Sequence, residues 1–298
     1  MWLFFAILAP AIFSVNNFVD KFLVVKKIRD TAVITVFSGF VALLFGMIIL
    51  LLRNFQLLEV KQLFLIVSAG IFAEFGLLPY FKALSTDETS RVVPLFQISP
   101  IFVLILSALF LGEFLTTKQI SGFLFILMSG FVLSAEKIEK KIFTPRKSLW
   151  YMMLASLFFA ISGVIFRFVV VNANFWDTLA WELVGIGIGA IVLLLWPIYR
   201  KRVLAERKNT GIKVWSALGF NESIYMAGRL SVSYATSLAP VALVSVMNGF
   251  QPLFVLINGL ILSIWFPHIL KEDIQKSVVG IKLFAIALIF SGLYFIYS

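Results

Sequence analysis

Apolar runs of roughly 20 residues, the length that crosses a hydrocarbon core of about 30 Å, follow one another along the whole 298-residue chain. In lipid every backbone N–H and C=O must find its partner inside the protein, and runs of this length do so as helices. Composition agrees: 61% of residues are hydrophobic, 13% are charged and the mean hydropathy is +1.03. An ordinary soluble domain is nearer half apolar and a quarter charged. The pattern predicts an all-α integral membrane protein with ten transmembrane helices. They are expected at 2–24, 31–52, 62–84, 92–111, 117–135, 148–171, 176–199, 213–238, 240–265 and 277–297. The first run has no basic segment before Trp2 and no small-residue cleavage site after it, so it is expected to be a membrane helix rather than a signal peptide. Local signals support the ends: Thr116 and Gln119 fit a capping box, Gly112 a helix C-terminus and Pro240 a helix start.

The net charge is +10. The basic residues lie in short loops between apolar runs, which points to the cytoplasmic excess of Lys and Arg in membrane proteins rather than to nucleic acid. Lys26, Lys27, Arg29, Arg91, Lys137, Lys140, Lys141, Arg146, Lys147, Arg200–Arg202, Arg207, Lys208, Lys213, Lys271 and Lys276 follow odd-numbered spans. Only Arg53, Lys61 and Lys118 follow even-numbered ones. The expectation is a plasma or inner membrane protein with both termini outside. There is no cysteine, and the single histidine, His268, falls in a polar loop. Thiol chemistry and a Cys/His metal cluster are thereby excluded, and no cofactor is expected.

One stretch occurs twice. Pro100-Ile-Phe-Val-Leu-Ile and Pro252-Leu-Phe-Val-Leu-Ile agree at five of six positions, 152 residues apart. Residues 9–25 align without gaps on 155–171, which places Lys21 on Arg167. Asp30-Thr31 resembles Asp177-Thr178, and 80–84 resembles 234–238. The matches keep their order, so spans one to five form one unit (1–136) and spans six to ten a second (148–298), joined by a cytoplasmic linker, 137–147. A five-span unit repeated in the same order must cross the membrane in opposite senses, giving two inverted repeats around a central cavity.

Tyr80, Ala83-Leu84, Pro94, Pro100, Gly112-Glu113, Gln119, Gly122 and Gly130 stand in the order and spacing of a motif running from a third helix to a fifth. In this the chain resembles the drug/metabolite transporter superfamily, in particular its EamA-like proteins. The second half departs from the motif: Ser263-Ile264-Trp265 stands where Leu111-Gly112-Glu113 would recur. The resemblance implies ten short spans, a cavity that opens alternately to each side, and substrates ranging over amino acids, amines, drugs, sugars and nucleotide sugars.

Ionisable residues inside a membrane are costly, so each is a functional candidate. Glu74 and Glu222 fall near the middle of spans three and eight, at similar depth. A carboxyl in a low-dielectric site holds its proton more tightly, so either could take up a proton on one side and release it on the other, or pair with a cationic substrate. The alternative is a structural hydrogen bond or an ion pair. Glu222, Tyr225 and Arg229 share one helix face. Arg229 could clamp an anion bidentately or neutralise Glu74. Glu182 and Arg167, nearer the outside, are expected to pair structurally. Asn17 could line the cavity or join helices. Gln97 and Asn248, with Gln251, flank the repeated prolines and could line a pore. Tyr80 and Tyr225 could stack on an amine or simply pack.

These features favour a secondary active transporter working by alternating access. The chain lacks a Walker-type loop, so a gradient or exchange must drive it. The expected substrate is a small polar or zwitterionic metabolite of the amino acid or amine class, with proton coupling through Glu74 and Glu222. Alternatives are an organophosphate or nucleotide-sugar carrier anchored by Arg229, a broad exporter of hydrophobic cations, a channel, or an intramembrane enzyme built on carboxylates alone. Partners are the substrate and lipid; monomer and homodimer stay open.

Overall fold

A computed structural model of the chain describes residues 1–26, 30–86, 92–134, 147–265 and 276–297. Lys27, Arg29, Arg91, His268, Lys271 and the linker up to Arg146 lie outside them. Helix α1 is Trp2–Lys26, α2 Thr31–Leu52 and α3 Val60–Thr86. A 3-10 turn, Val93–Ile98, leads into α4, Ser99–Leu111, and α5 is Thr117–Ser134. In the second half α6 is Lys147–Val170, α7 Phe175–Leu195, α8 Pro197–Asn209 and α9 Ile212–Leu238. A short α10, Val241–Val246, and a second 3-10 turn, Met247–Phe250, lead into α11, Gln251–Trp265; α12 is Lys276–Tyr297.

The helix ends follow from local chemistry. Asp30 Oδ1 accepts from Ala32 N at 3.0 Å and Asn174 Oδ1 from Trp176 N at 3.0 Å, capping α2 and α7. Thr116 N donates to Gln119 Oε1 at 3.0 Å while Gln119 N donates to Thr116 Oγ1 at 3.3 Å, the reciprocal capping box of α5. Gly112 ends α4 at φ +65°, a left-handed conformation that suits glycine.

Three expected spans take a different form. The seventh stops at Leu195 rather than 199, because Pro197 lacks the N–H that would continue the ladder and instead starts α8. The basic segment expected as a loop, Arg200–Lys208, is therefore helical. The fourth and ninth spans are broken. Ser99 N–H reaches back only to Phe96 O, and Gln251 N–H only to Asn248 O. In each case the next residue is Pro100 or Pro252, which has no donor for the usual longer bond. Four described helices, α2, α3, α6 and α7, are long and apolar enough to cross a membrane; several others hold shorter apolar stretches of 10–17 residues.

Packing joins the two halves helix by helix. First-half α1 lies against α9 and α3 against α6; α2 lies against α7 and α5 against α12; α4 meets α6 and α1 meets α11. Every one of these pairings survives exchanging the halves. The exception is α3 with α7, an extensive contact whose exchanged counterpart, α2 with α9, is slight. Glycine permits the first. A Cβ on Gly70 would clash with Glu182 O, and one on Gly185 with Val67 O. Between helices in lipid such close backbone approach replaces the hydrophobic drive available in water. One core gathers around Phe123, Ile126, Met247 and Ile289, and another around Ile66, Phe166, Leu183 and Met226.

Gly70→Val and Gly185→Val should therefore each cost about 1–3 kcal/mol through overpacking. Thermal unfolding of the purified protein checks this. Gly163→Ala is the control, since its Cβ would meet nothing nearer than Val241 Cγ2 at 3.9 Å and should leave the melting temperature in place.

Candidate functional site

A cavity of about 260 Å³ lies between α1, α3, α6, α9 and the two broken segments. Asn17, Tyr80, Gln97, Glu222, Tyr225, Arg229 and Asn248 all line it. Helix α9 supplies one long stripe: Glu222, Tyr225, Arg229, Val232 and Thr236 recur at three- and four-residue spacing. The 3-10 turns bring Gln97 and Asn248 in from opposite halves. Gln97 is packed against Gly130, where a Cβ would come within 2.7 Å of its Cδ, and among the described residues its Oε1 has no hydrogen-bond partner.

Glu74 sits elsewhere. It is absent from the cavity wall and 0% exposed. Its carboxyl lies in a cradle of two glycines: a Cβ on Gly39 of α2 would be 2.8 Å from Glu74 Oε1, and one on Gly189 of α7 would be 2.8 Å from Glu74 Cβ. Among the described residues neither carboxyl oxygen has a hydrogen-bond partner. The neighbouring residue on α2, Ser38, faces the cavity and donates to Glu222 Oε2 at 2.6 Å. The two glutamates thus approach α2 at adjacent residues, one facing the cavity and one inside the helix seam.

Arg229 meets Glu182 rather than Glu74: its Nη2 donates to Glu182 Oε1 at 2.8 Å, with side chains 14% and 3% exposed. Depth explains the match. Glu182 is about two turns from the start of α7 at Phe175, and Arg229 is at similar depth from the end of α9 at Leu238. Arg167, expected beside Glu182, instead pairs with Glu113, Nε to Oε1 at 2.6 Å. Asn16, next to the cavity-lining Asn17, ties α1 to α9 by donating to Asn221 O at 2.7 Å and Asn221 Oδ1 at 3.0 Å. Ser38, Glu182 and Asn221 belong to the site although sequence reasoning did not assign them there. Asn221 adjoins Glu222 in sequence and could have been found; a lone serine in an apolar run carries no such signal.

Among the described residues the charged side chains on the cavity wall are Glu182, Glu222 and Arg229, two acids and one base. The base is already engaged by one of the acids. Aromatic rings complete the wall: Phe13 lies 5.3 Å from Tyr225, Tyr80 edge-on to Phe96 at 5.5 Å, and Phe96 stacked on Phe159 at 5.8 Å. Among the described residues no three His, Asp or Glu side chains gather as a metal site requires.

The EamA-like transporter family model matches residues 1–135. No curated protein matches. A solved structure titled "Crystal structure of protein" is 15% identical, with a TM-score of 0.69 over 99% of this chain and 96% of that one; at this identity the fold alone is shared.

Removing one partner of the Arg229–Glu182 pair leaves a buried charge uncompensated. Arg229→Ala and Glu182→Gln should each destabilise by about 3–5 kcal/mol, and the double variant by less than their sum. A double-mutant cycle read by thermal unfolding checks the coupling; additive losses would show that the two groups act independently.

Proposed function

We propose that this chain, whose residues 1–135 belong to the EamA-like transporter family of the drug/metabolite transporter superfamily, is a secondary active transporter of a small amine or zwitterionic metabolite. The observation that carries the reading is the make-up of the cavity wall: among the described residues it holds two acids, Glu182 and Glu222, one base, Arg229, which pairs with Glu182, and several aromatic rings. A substrate ammonium would meet Glu222 beside Ser38, and a substrate carboxylate could share Arg229 with Glu182. The size of the cavity, about 260 Å³, falls below the drug-sized range of about 300–1,000 Å³ and supports a small metabolite over a nucleotide-linked sugar. The engagement of Arg229 by Glu182 weighs against an organophosphate carrier.

The mechanism we infer is alternating access between two inverted halves, 1–136 and 148–298, in a plasma or inner membrane with both termini outside. The exchangeable helix pairings support it, as does the one pair that breaks the exchange: α3 and α7 in close backbone contact, α2 and α9 meeting through side chains such as Ser38 and Glu222. In an inverted repeat that imbalance is the signature of a cavity closed toward one end and looser toward the other. Protons would be carried by Glu74 and Glu222. Glu74 supports this by position: it is fully buried in the helix seam, and among the described residues neither carboxyl oxygen has a hydrogen-bond partner, so a fixed charge there would be costly. The aromatic wall also favours a second reading, export of larger hydrophobic cations.

The test is a thermal-shift screen of purified protein with amino acids, amines, hydrophobic cations, sugars and nucleotide sugars between pH 5 and 8, followed by uptake into proteoliposomes. The expected result is stabilisation by small amines or zwitterions, lost in Glu222→Gln and moved along the pH axis in Glu74→Gln. A response limited to anions and abolished by Arg229→Ala would overturn the substrate class. Glutamate variants that lower the baseline melting temperature yet keep every ligand response would make both residues structural.

A further inference from the structure

The residues that end α4 and α6 form a network outside the substrate site. Glu113 follows the left-handed Gly112 at the end of α4. Its Oε1 accepts from Arg167 Nε at 2.6 Å, and its Oε2 accepts from Val241 N at 3.1 Å. Arg167 in turn donates through Nη1 to Thr236 O at 2.8 Å and Ser237 O at 3.1 Å, carbonyls of the last turn of α9. Both charged side chains are largely enclosed, 14% and 18% exposed. Phe166, Thr236 and Val241, which carry or adjoin these groups, line the cavity. Glu113 belongs to the first half and every partner to the second.

We propose that Glu113 and Arg167 are a latch that holds this end of the cavity closed, opposite the end bearing the basic loops. The inference rests on the alternating-access reading. Opening the cavity here requires α4 to part from α6, α9 and α10, which breaks a buried charge-assisted pair and frees the Val241 N–H at once. Charge-assisted bonds are roughly twice as strong as neutral ones, so this contact sets the balance between closed and open forms. The sequence repeat does not duplicate this pair. Arg167 corresponds to Lys21, but Glu113 corresponds to Trp265, so the second half has no acid where the first has Glu113.

The chain contains no cysteine, so a single introduced thiol reports cleanly. Val232→Cys places it on the cavity wall one turn inward of Thr236. Membrane vesicles of each orientation are treated with a membrane-impermeant methanethiosulfonate, alone and with Glu113→Gln or Arg167→Gln added. The expected result is slow labelling from the latch end in the single variant and a rise of about tenfold from that end only when the pair is broken. Glu113→Asp, which keeps the charge but shortens the reach, should give a smaller rise and serves if the glutamine variants fail to fold. Labelling unchanged by all three, or raised equally from both ends, overturns the latch. The outcomes separate from those of the transport reading. A latch that responds while no ligand shifts the melting temperature sinks the transporter alone; intact ligand responses with unchanged labelling sink the latch alone.

Discussion

Close backbone contact between α2, α3 and α7 is the constraint on which the rest of the structure depends. In an apolar solvent helices gain nothing by hiding apolar faces, so association rests on packing and on interhelical hydrogen bonds. Gly39, Gly46, Gly70, Gly185, Gly187 and Gly189 let the three helices approach until backbone meets backbone or a neighbouring side chain. That approach encloses Glu74, fixes the depth at which Glu182 meets Arg229, and leaves α9 to form the opposite wall. The cavity is the space that this seam does not close.

Polar residues then divide by what they face. Those in the seam or at helix ends act between helices: Ser129 with Ala285 O, Arg53 with Asp177, Arg167 with Glu113. Those at the cavity also pair closely, Asn16 with Asn221, Ser38 with Glu222 and Arg229 with Glu182, while Gln97 and Asn248 stand on the broken segments. Irregular backbone at membrane depth is tolerated where it lines such a space, because water or ligand can serve the groups the helix no longer pairs. Gln97 and Asn248 sit on just such backbone.

How far the sequence reaches can be judged residue by residue. Local features were legible: the capping box of Thr116 and Gln119, the turn at Gly112, and the shared face of Glu222, Tyr225 and Arg229 all depend on neighbours within a turn or two. The end of α7 could also have been read from Pro197. Pairings between distant helices were not legible. Arg229 goes to Glu182 and Arg167 to Glu113 because glycine contacts set the relative depth and rotation of the helices, and those are long-range quantities. Glu74 looked like a cavity residue by depth alone; the rotation of α3 turns it into the seam. Ser38 had no sequence signal because its importance comes entirely from facing Glu222 across the halves.

The two 3-10 turns also have a mechanical meaning. A residue in a 3-10 helix advances about 2.0 Å along the axis, against 1.5 Å in an α-helix. Winding Val93–Ile98 into α geometry would shorten that segment by about 3 Å, and Met247–Phe250 by about 2 Å. Each turn therefore holds a short axial stroke directly beside a cavity amide, available without moving a whole helix, and the proline that follows it marks where the stroke must stop.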